Sequence, residues 1–168
     1  MKILSKQKNS RMCMICGLDN EYGVNAPFYN MEDGSVMTVF RYKEQHQSYP
    51  GRVHGGMLDE MGLRSLWAKE LSEETFGVTI SLDTKYRKPV PYETELIGRG
   101  VVVKNMSHFI ITDSYIMDKE GEILANGRIK YIKMDTQKIQ EGVEVHEEMP
   151  YLVEDGRTEI EGPFFDNL

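Results

Sequence analysis

The chain is poor in the residues that would hold a structural metal. Cys13 and Cys16 are its only cysteines. They form a CxxC pair, but a structural zinc takes four protein ligands, and no second CxxC or HxxxH completes the set. His46, His54, His108 and His146 stand as scattered singles. No thioredoxin-like βαβ pattern surrounds the pair, which disfavours a redox dithiol. No apolar run approaches the ~18 residues of a membrane span, and the start MKILSKQKNSR is not followed by the apolar stretch of a signal peptide. The expectation is therefore a cytoplasmic protein that does not enter a membrane. The basic residues are dispersed, without a clustered basic and aromatic face, so nucleic acid is not an expected partner. Internal repeats and low-complexity segments are also lacking.

What is present suits one compact domain. At 168 residues, with 40% hydrophobic and 28% charged residues, the chain can bury a sizeable core. The net charge of -7 is unevenly spread: residues 135–168 hold ten acidic and two basic residues, leaving 17 acidic and 18 basic in residues 1–134. An acidic extension over 135–168 is thus expected to be solvated or loosely packed. Its apolar residues Tyr151, Leu152, Val153, Phe164 and Phe165 suggest that parts of it pack, for instance on a neighbouring subunit. A linker is expected near Met134 to Gly142.

Hydrophobic period supplies the elements. Phe28 to Met31 and Val36 to Tyr42 read as paired strands around the turn Glu32-Asp33-Gly34. From Met57 the apolar residues Met57, Leu58, Met61, Leu66 and Trp67 suit a buried helix to about Leu71, with Trp67 in the core. Val78 to Tyr86 alternate as a strand up to the Lys-Pro break. Thr94 to Lys104, His108 to Met117 and Ile123 to Lys133 read as three more strands, joined by turn-like Asn105-Met106-Ser107 and Lys119-Glu120-Gly121. Short connections favour antiparallel neighbours. The expected class is α+β: a curled antiparallel sheet around one long helix, in the order ββαββββ.

The segment PGRVHGGMLDE, Pro50 to Glu60, carries most of the functional signal. Two glycines at the start of an apolar helix cost roughly 1 kcal/mol each relative to alanine, and they suit a place where backbone approaches something closely. The first N–H groups of a helix lack intrahelical partners and sit at the positive end of its dipole, where a carbonyl can be held and polarised. Gly55 is the candidate donor and Gly56 lies beside it. Asp59 is the candidate acid, with Glu60 second.

The chain resembles the acyl-CoA thioesterases of the hotdog-fold superfamily, in the branch with a phenylacetate-type HGG motif. The resemblance rests on CMICGLDNEYGV (Cys13 to Val24), QSYPGRVHGG (Gln47 to Gly56), LDEMG (Leu58 to Gly62), KYRKPVP (Lys85 to Pro91) and DKEGEILANGRIKY (Asp118 to Tyr131). It implies an N-terminal extension over 1–25 with a CxxCG packing turn, a hotdog thioesterase domain over 26–134, and the extension over 135–168. It also implies an acyl-CoA substrate, with coenzyme A as part of that substrate and no separate cofactor or metal. The thioester carbonyl would meet the Gly55 N–H. Asp59 would act as general base or as nucleophile. His54 would orient the loop or the thioester, and Gln47 would help hold water or substrate. Arg52, Lys85, Arg87 and Lys88 are candidates for the coenzyme A phosphates; the alternative for the last three is an exposed strand edge protected by charge and proline. In the family the site forms between two subunits, which implies a homodimer at least, with tetramers as paired dimers. The pocket would include Met57, Met61 and Phe109.

One departure falls at the chemistry. The family's carboxylate usually lies about nine residues after the motif histidine, whereas Asp59 lies five after His54. The difference is about one helical turn, ~6 Å along the axis, which keeps the acid on nearly the same face. Either the site is rebuilt around the shorter spacing, or Asp59 does not reach the substrate, or one turn is missing from this sequence. The alternatives to a thioesterase are a non-catalytic hotdog protein that binds an acyl-CoA or aromatic ligand, a hotdog hydratase, and an assembly module using its acidic tail. The hydratase is disfavoured because its Asp/His arrangement is not found.

Overall fold

All six expected strands form, and they join in one antiparallel sheet. The structure, a computed structural model, describes residues 1–60, 75–135 and 148–163. Its elements are β1 (Ile3–Lys6), β2 (Lys8–Asn9), β3 (Tyr29–Met31), β4 (Val36–Phe40), a 3-10 turn (Glu44–His46), α1 (Gly55–Glu60), β5 (Thr75–Tyr86), β6 (Leu96–Asn105), β7 (Phe109–Met117), β8 (Ile123–Asp135) and β9 (Tyr151–Leu152). Seven strands order as β1-β3-β4-β6-β7-β8-β5, and β2 pairs with β9 separately. The expected course of the helix through Met61, Leu66 and Trp67 to Leu71 lies outside the described residues, as do His146, Phe164 and Phe165. The expected linker is corrected at its start, because β8 runs through Met134 to Asp135; the rest of it is outside the described residues.

Alternation along the strands gives the sheet two faces. The face that carries α1 packs Phe28, Val36, Phe40, Leu96, Ile116 and Ala125 with Val53 and Met57. Ile15, Cys16, Val24 and Ala26 of the N-terminal turn join the same cluster. The opposite face packs Tyr29, Met31, Met37, Ile97 and Met117 around Ile160 of the tail.

Over residues 148–163 the acidic tail keeps most of its side chains exposed, in line with its charge, but its backbone is docked on its own chain rather than on a neighbouring subunit. It runs antiparallel beside the N-terminal segment of the same chain. Tyr151 and Leu152 pair with Asn9 and Lys8, the Ile3 N–H donates to the Thr158 carbonyl at 2.9 Å, and the Ile160 N–H donates to the Met1 carbonyl at 2.9 Å. Ile160 is 1% exposed. Asp155 accepts from the Tyr29 hydroxyl at 2.5 Å and pairs with the Lys6 ammonium. Composition alone does not reveal that backbone pairing and one isoleucine suffice to dock an acidic segment.

Candidate functional site

The helix starts at Gly55, two residues before the apolar run that announced it, because His54 caps it. The Gly56 N–H donates to His54 Nδ1 at 3.0 Å, and the Met57 N–H donates to the His54 carbonyl at 3.0 Å. That leaves the Gly55 N–H as the one donor of the first three without a partner among the described residues. Capping normally satisfies these groups, so the cap singles out one peptide rather than hiding them all. Both glycines also have close neighbours. A Cβ on Gly55 would stand 3.2 Å from the Tyr86 hydroxyl, and one on Gly56 would stand 3.3 Å from His54 Nδ1.

Tyr86 was not among the expected site residues. It ends β5 on the face that carries α1, and its hydroxyl donates to the Gly55 carbonyl at 3.3 Å. The signal was available in KYRKP, but the strand's parity decides which of those side chains faces the helix. That parity sends Lys85 the other way. Lys85 and Arg87 line a cleft of about 390 Å³ on the opposite face with Asp83, Asp113, Asn126 and Arg128. There Arg87 Nε donates to Asn126 Oδ1 at 2.6 Å; Lys88, outside the cleft, pairs with Glu122. Arg128, bonded twice to Asp113 at 2.7 and 2.6 Å, adds a cation that the sequence did not flag. Within one subunit, the cations of KYRKP are therefore not gathered at Gly55. Arg52 alone of the four lies on the motif loop, exposed, with its Nη1 donating to the Gly51 carbonyl at 2.7 Å.

Phe109 also belongs to the opposite face. It pairs across with Ile132 and lies under the Lys130 ammonium, 4.2 Å from the ring centroid, which corrects its placement in the pocket. A cavity does exist on the helix-bearing side, lined in part by Val36, Thr38, Leu82, Thr84, Ser114 and Gly127. Asp59 lies one turn beyond Gly55 and Glu60 follows it, both within α1; their side chains are outside the described residues. Gln47 is exposed, and its backbone bridges Val53 across the loop.

The loop that ends at His54 is tied down by a buried histidine. His46 Nε2 donates to the Tyr22 carbonyl at 2.7 Å, and its Nδ1 accepts from the Lys43 N–H at 3.0 Å. Its carbonyl accepts from the His54 N–H at 2.9 Å. Among the described residues, no three His, Cys, Asp or Glu side chains group as metal ligands, and no helix is long and apolar enough to cross a membrane. Cys13 is exposed and Cys16 buried. Hydrogen bonding with Cys16, and then burial of the sulfur, push the Cys13 thiol up.

These strands, this sheet order and a helix entering after the second hotdog strand make the fold a hotdog fold. A thioesterase-superfamily protein superposes with a TM-score of 0.62 at 22% identity, over 73% of this chain and 60% of that one, so this chain spans three fifths of its length. A thioesterase from Haemophilus influenzae matches at 0.59 and 11% identity, over 71% of this chain and 84% of its own. A hypothetical thioesterase from Streptococcus pneumoniae, solved with coenzyme A, matches at 0.59 and 22% identity, over 66% and 87%. No protein-family model matches the chain, and no curated protein sequence does.

Proposed function

We propose that the protein hydrolyses acyl-CoA thioesters to the free acid and coenzyme A, acting in the cytoplasm as a homodimer of the HGG type. The observation that carries this reading is the Gly55 N–H, left without a partner among the described residues while its neighbours Gly56 and Met57 are satisfied by His54. A thioester carbonyl placed against it would have its developing negative charge stabilised by a donor that needs no reorganisation. Asp59, with Glu60 behind it, would then activate water or attack directly. His54 serves as the cap that isolates the donor. Coenzyme A bound to a structural neighbour supports the substrate class. The chemistry asked of these residues needs no cofactor beyond the coenzyme A of the substrate. Arg52 is the phosphate contact nearest the motif, and Lys85, Arg87 and Lys88 would contribute where a second subunit completes the site.

A second reading has its own support. The five-residue spacing from His54 to Asp59 fits a hotdog protein that binds an acyl-CoA or aromatic ligand without cleaving it. Turnover of short, long and aromatic acyl-CoAs by purified protein, beside Asp59→Ala, separates the two. Hydrolysis that collapses in the variant supports the thioesterase; saturable coenzyme A binding with no turnover supports the binder.

A further inference from the structure

Resting on the reading of Gly55 as the carbonyl donor, we propose that His46 is a positioning residue, through which the turn of residues 13–25 holds that donor in aim. Between His46 and the motif, Gln47, Ser48, Tyr49 and Pro50 are all exposed, and the loop is held at its far end by Val53, buried and with its N–H donating to the Val90 carbonyl at 2.9 Å, and at its near end by His46. His46 is 5% exposed and uses three groups at once. Its Nε2 reaches the Tyr22 carbonyl, its Nδ1 takes the Lys43 N–H, and its carbonyl takes the N–H of His54. His54 in turn caps Gly56. A continuous path of hydrogen bonds therefore runs from Tyr22, through one side chain and one peptide, to the residue immediately before Gly55.

Two further ties converge on the same loop. Lys43 Nζ donates to the Gly23 carbonyl at 2.8 Å and to Asn25 Oδ1 at 2.5 Å, so the turn grips the loop on both sides of its 3-10 segment. Tyr42, whose ring meets that of His46 edge-on at 5.8 Å between centroids, donates its hydroxyl to the Met57 carbonyl at 2.9 Å. The first turn of α1 is thus held from below by Tyr42 and from behind by His46. The CxxCG segment packs as expected, with Ile15 and Cys16 in the core, and it also supplies the fixed points, Tyr22, Gly23 and Asn25, for the loop that carries the glycines. A donor to a developing oxyanion acts only if aimed in advance, and a misplacement of ~1 Å costs about 10²-fold in rate.

The test compares wild type with His46→Ala, His46→Gln, His46→Asn and Lys43→Met in the full chain. The readouts are acyl-CoA turnover and hydrogen exchange over residues 47–57, with thermal melts to check folding. A glutamine can place an amide N–H near the Tyr22 carbonyl, as Nε2 does; an asparagine can replace only the Nδ1 acceptor. The expected result is a fall of roughly 10²-fold in kcat for His46→Ala with KM within about threefold, the mark of an interaction made in the transition state. Exchange at His54 and Gly56 should accelerate. His46→Gln should recover most of the rate, His46→Asn should not, and Lys43→Met should fall between them. A folded His46→Ala with kcat within twofold of wild type and unchanged exchange overturns the proposal, and so does a glutamine variant no better than alanine. Wild-type protein without turnover on any thioester overturns the functional reading instead; exchange alone then decides the anchoring, and an unchanged pattern in His46→Ala overturns that too.

Discussion

Two single side chains give sharp expectations. Gly55→Ala should separate stability from activity. The new methyl would meet the Tyr86 hydroxyl at 3.2 Å, the far end of an exposed side chain that can move aside, while alanine is worth up to about 1 kcal/mol more than glycine within a helix. A melting temperature equal to or above wild type, with turnover reduced about tenfold or more, is expected. An alanine variant that melts early would show that the glycine serves packing instead. The second case is Asp155. Burial pushes its carboxyl up, but the bonds from the Lys6 ammonium, the Tyr29 hydroxyl and the Arg157 N–H outweigh that and hold it at about 2. An unfolded aspartate titrates near ~3.9. The folded value is the lower one, so Asp155 stabilises the fold above ~4 and loses that contribution as pH falls towards 2. Asp155→Asn should melt below wild type at pH 7, with the gap closing between pH 4 and 2; a constant gap across that range would assign the effect to packing.

At the scale of elements, the tail adds pairing beside the N-terminal segment rather than acting as a tether. Its 158–160 stretch lies against residues 1–3 by backbone bonds, and Ile160 fills the cluster of Met31, Met37 and Met117. Ile160→Ala should cost about 2–5 kcal/mol, the range for a buried isoleucine, readable as a shift of the urea midpoint at unchanged slope. A loss below about 0.5 kcal/mol, as for a surface site, would mean the tail is not docked in solution. Why the strands could be read and the tail could not is a matter of period. Val78 to Tyr86 alternates over enough residues for side-chain parity to show, whereas Ile3–Lys6 and Tyr151–Leu152 are too short to display a period and owe their place to backbone pairing with Tyr29–Met31 and Lys8–Asn9 respectively. The site divides in the same way. Gly55 and Gly56 announce themselves because close approach and bare N–H groups need glycine. The role of His46 depends on a carbonyl 24 residues away, and the facing of Lys85 depends on parity at one strand end, so neither is written in local spacing.

For the molecule as a whole, the two edges of the sheet are unequal, and this sets how copies should meet. On one side β1 is covered by the tail, through Lys2 bridged to Glu159 and the bonds between residues 1–3 and 158–160. On the other, β5 runs for 12 residues, about 40 Å at the rise of an extended chain, with no further strand beyond it among the described residues. It exposes Val78, Ile80 and Leu82 along its length. A long apolar edge of this kind invites pairing, and proteins that leave such an edge free usually break it with lysine, proline or a bulge. Here there is a bulge, between Thr79 and Ser81, but Thr75 to Leu82 contains neither lysine nor proline. With one edge closed and one open, two copies can pair β5 to β5 about a two-fold axis and leave no edge for a third, so edge pairing would close at two copies. The protein should therefore elute at twice 19.4 kDa. Ile80→Lys, which places two charges near the axis, should shift it to monomer and, because the hotdog site is proposed to draw on both subunits, should abolish turnover together with the dimer. A variant that stays dimeric would move the interface off β5, and a monomer with full activity would confine the site to one chain.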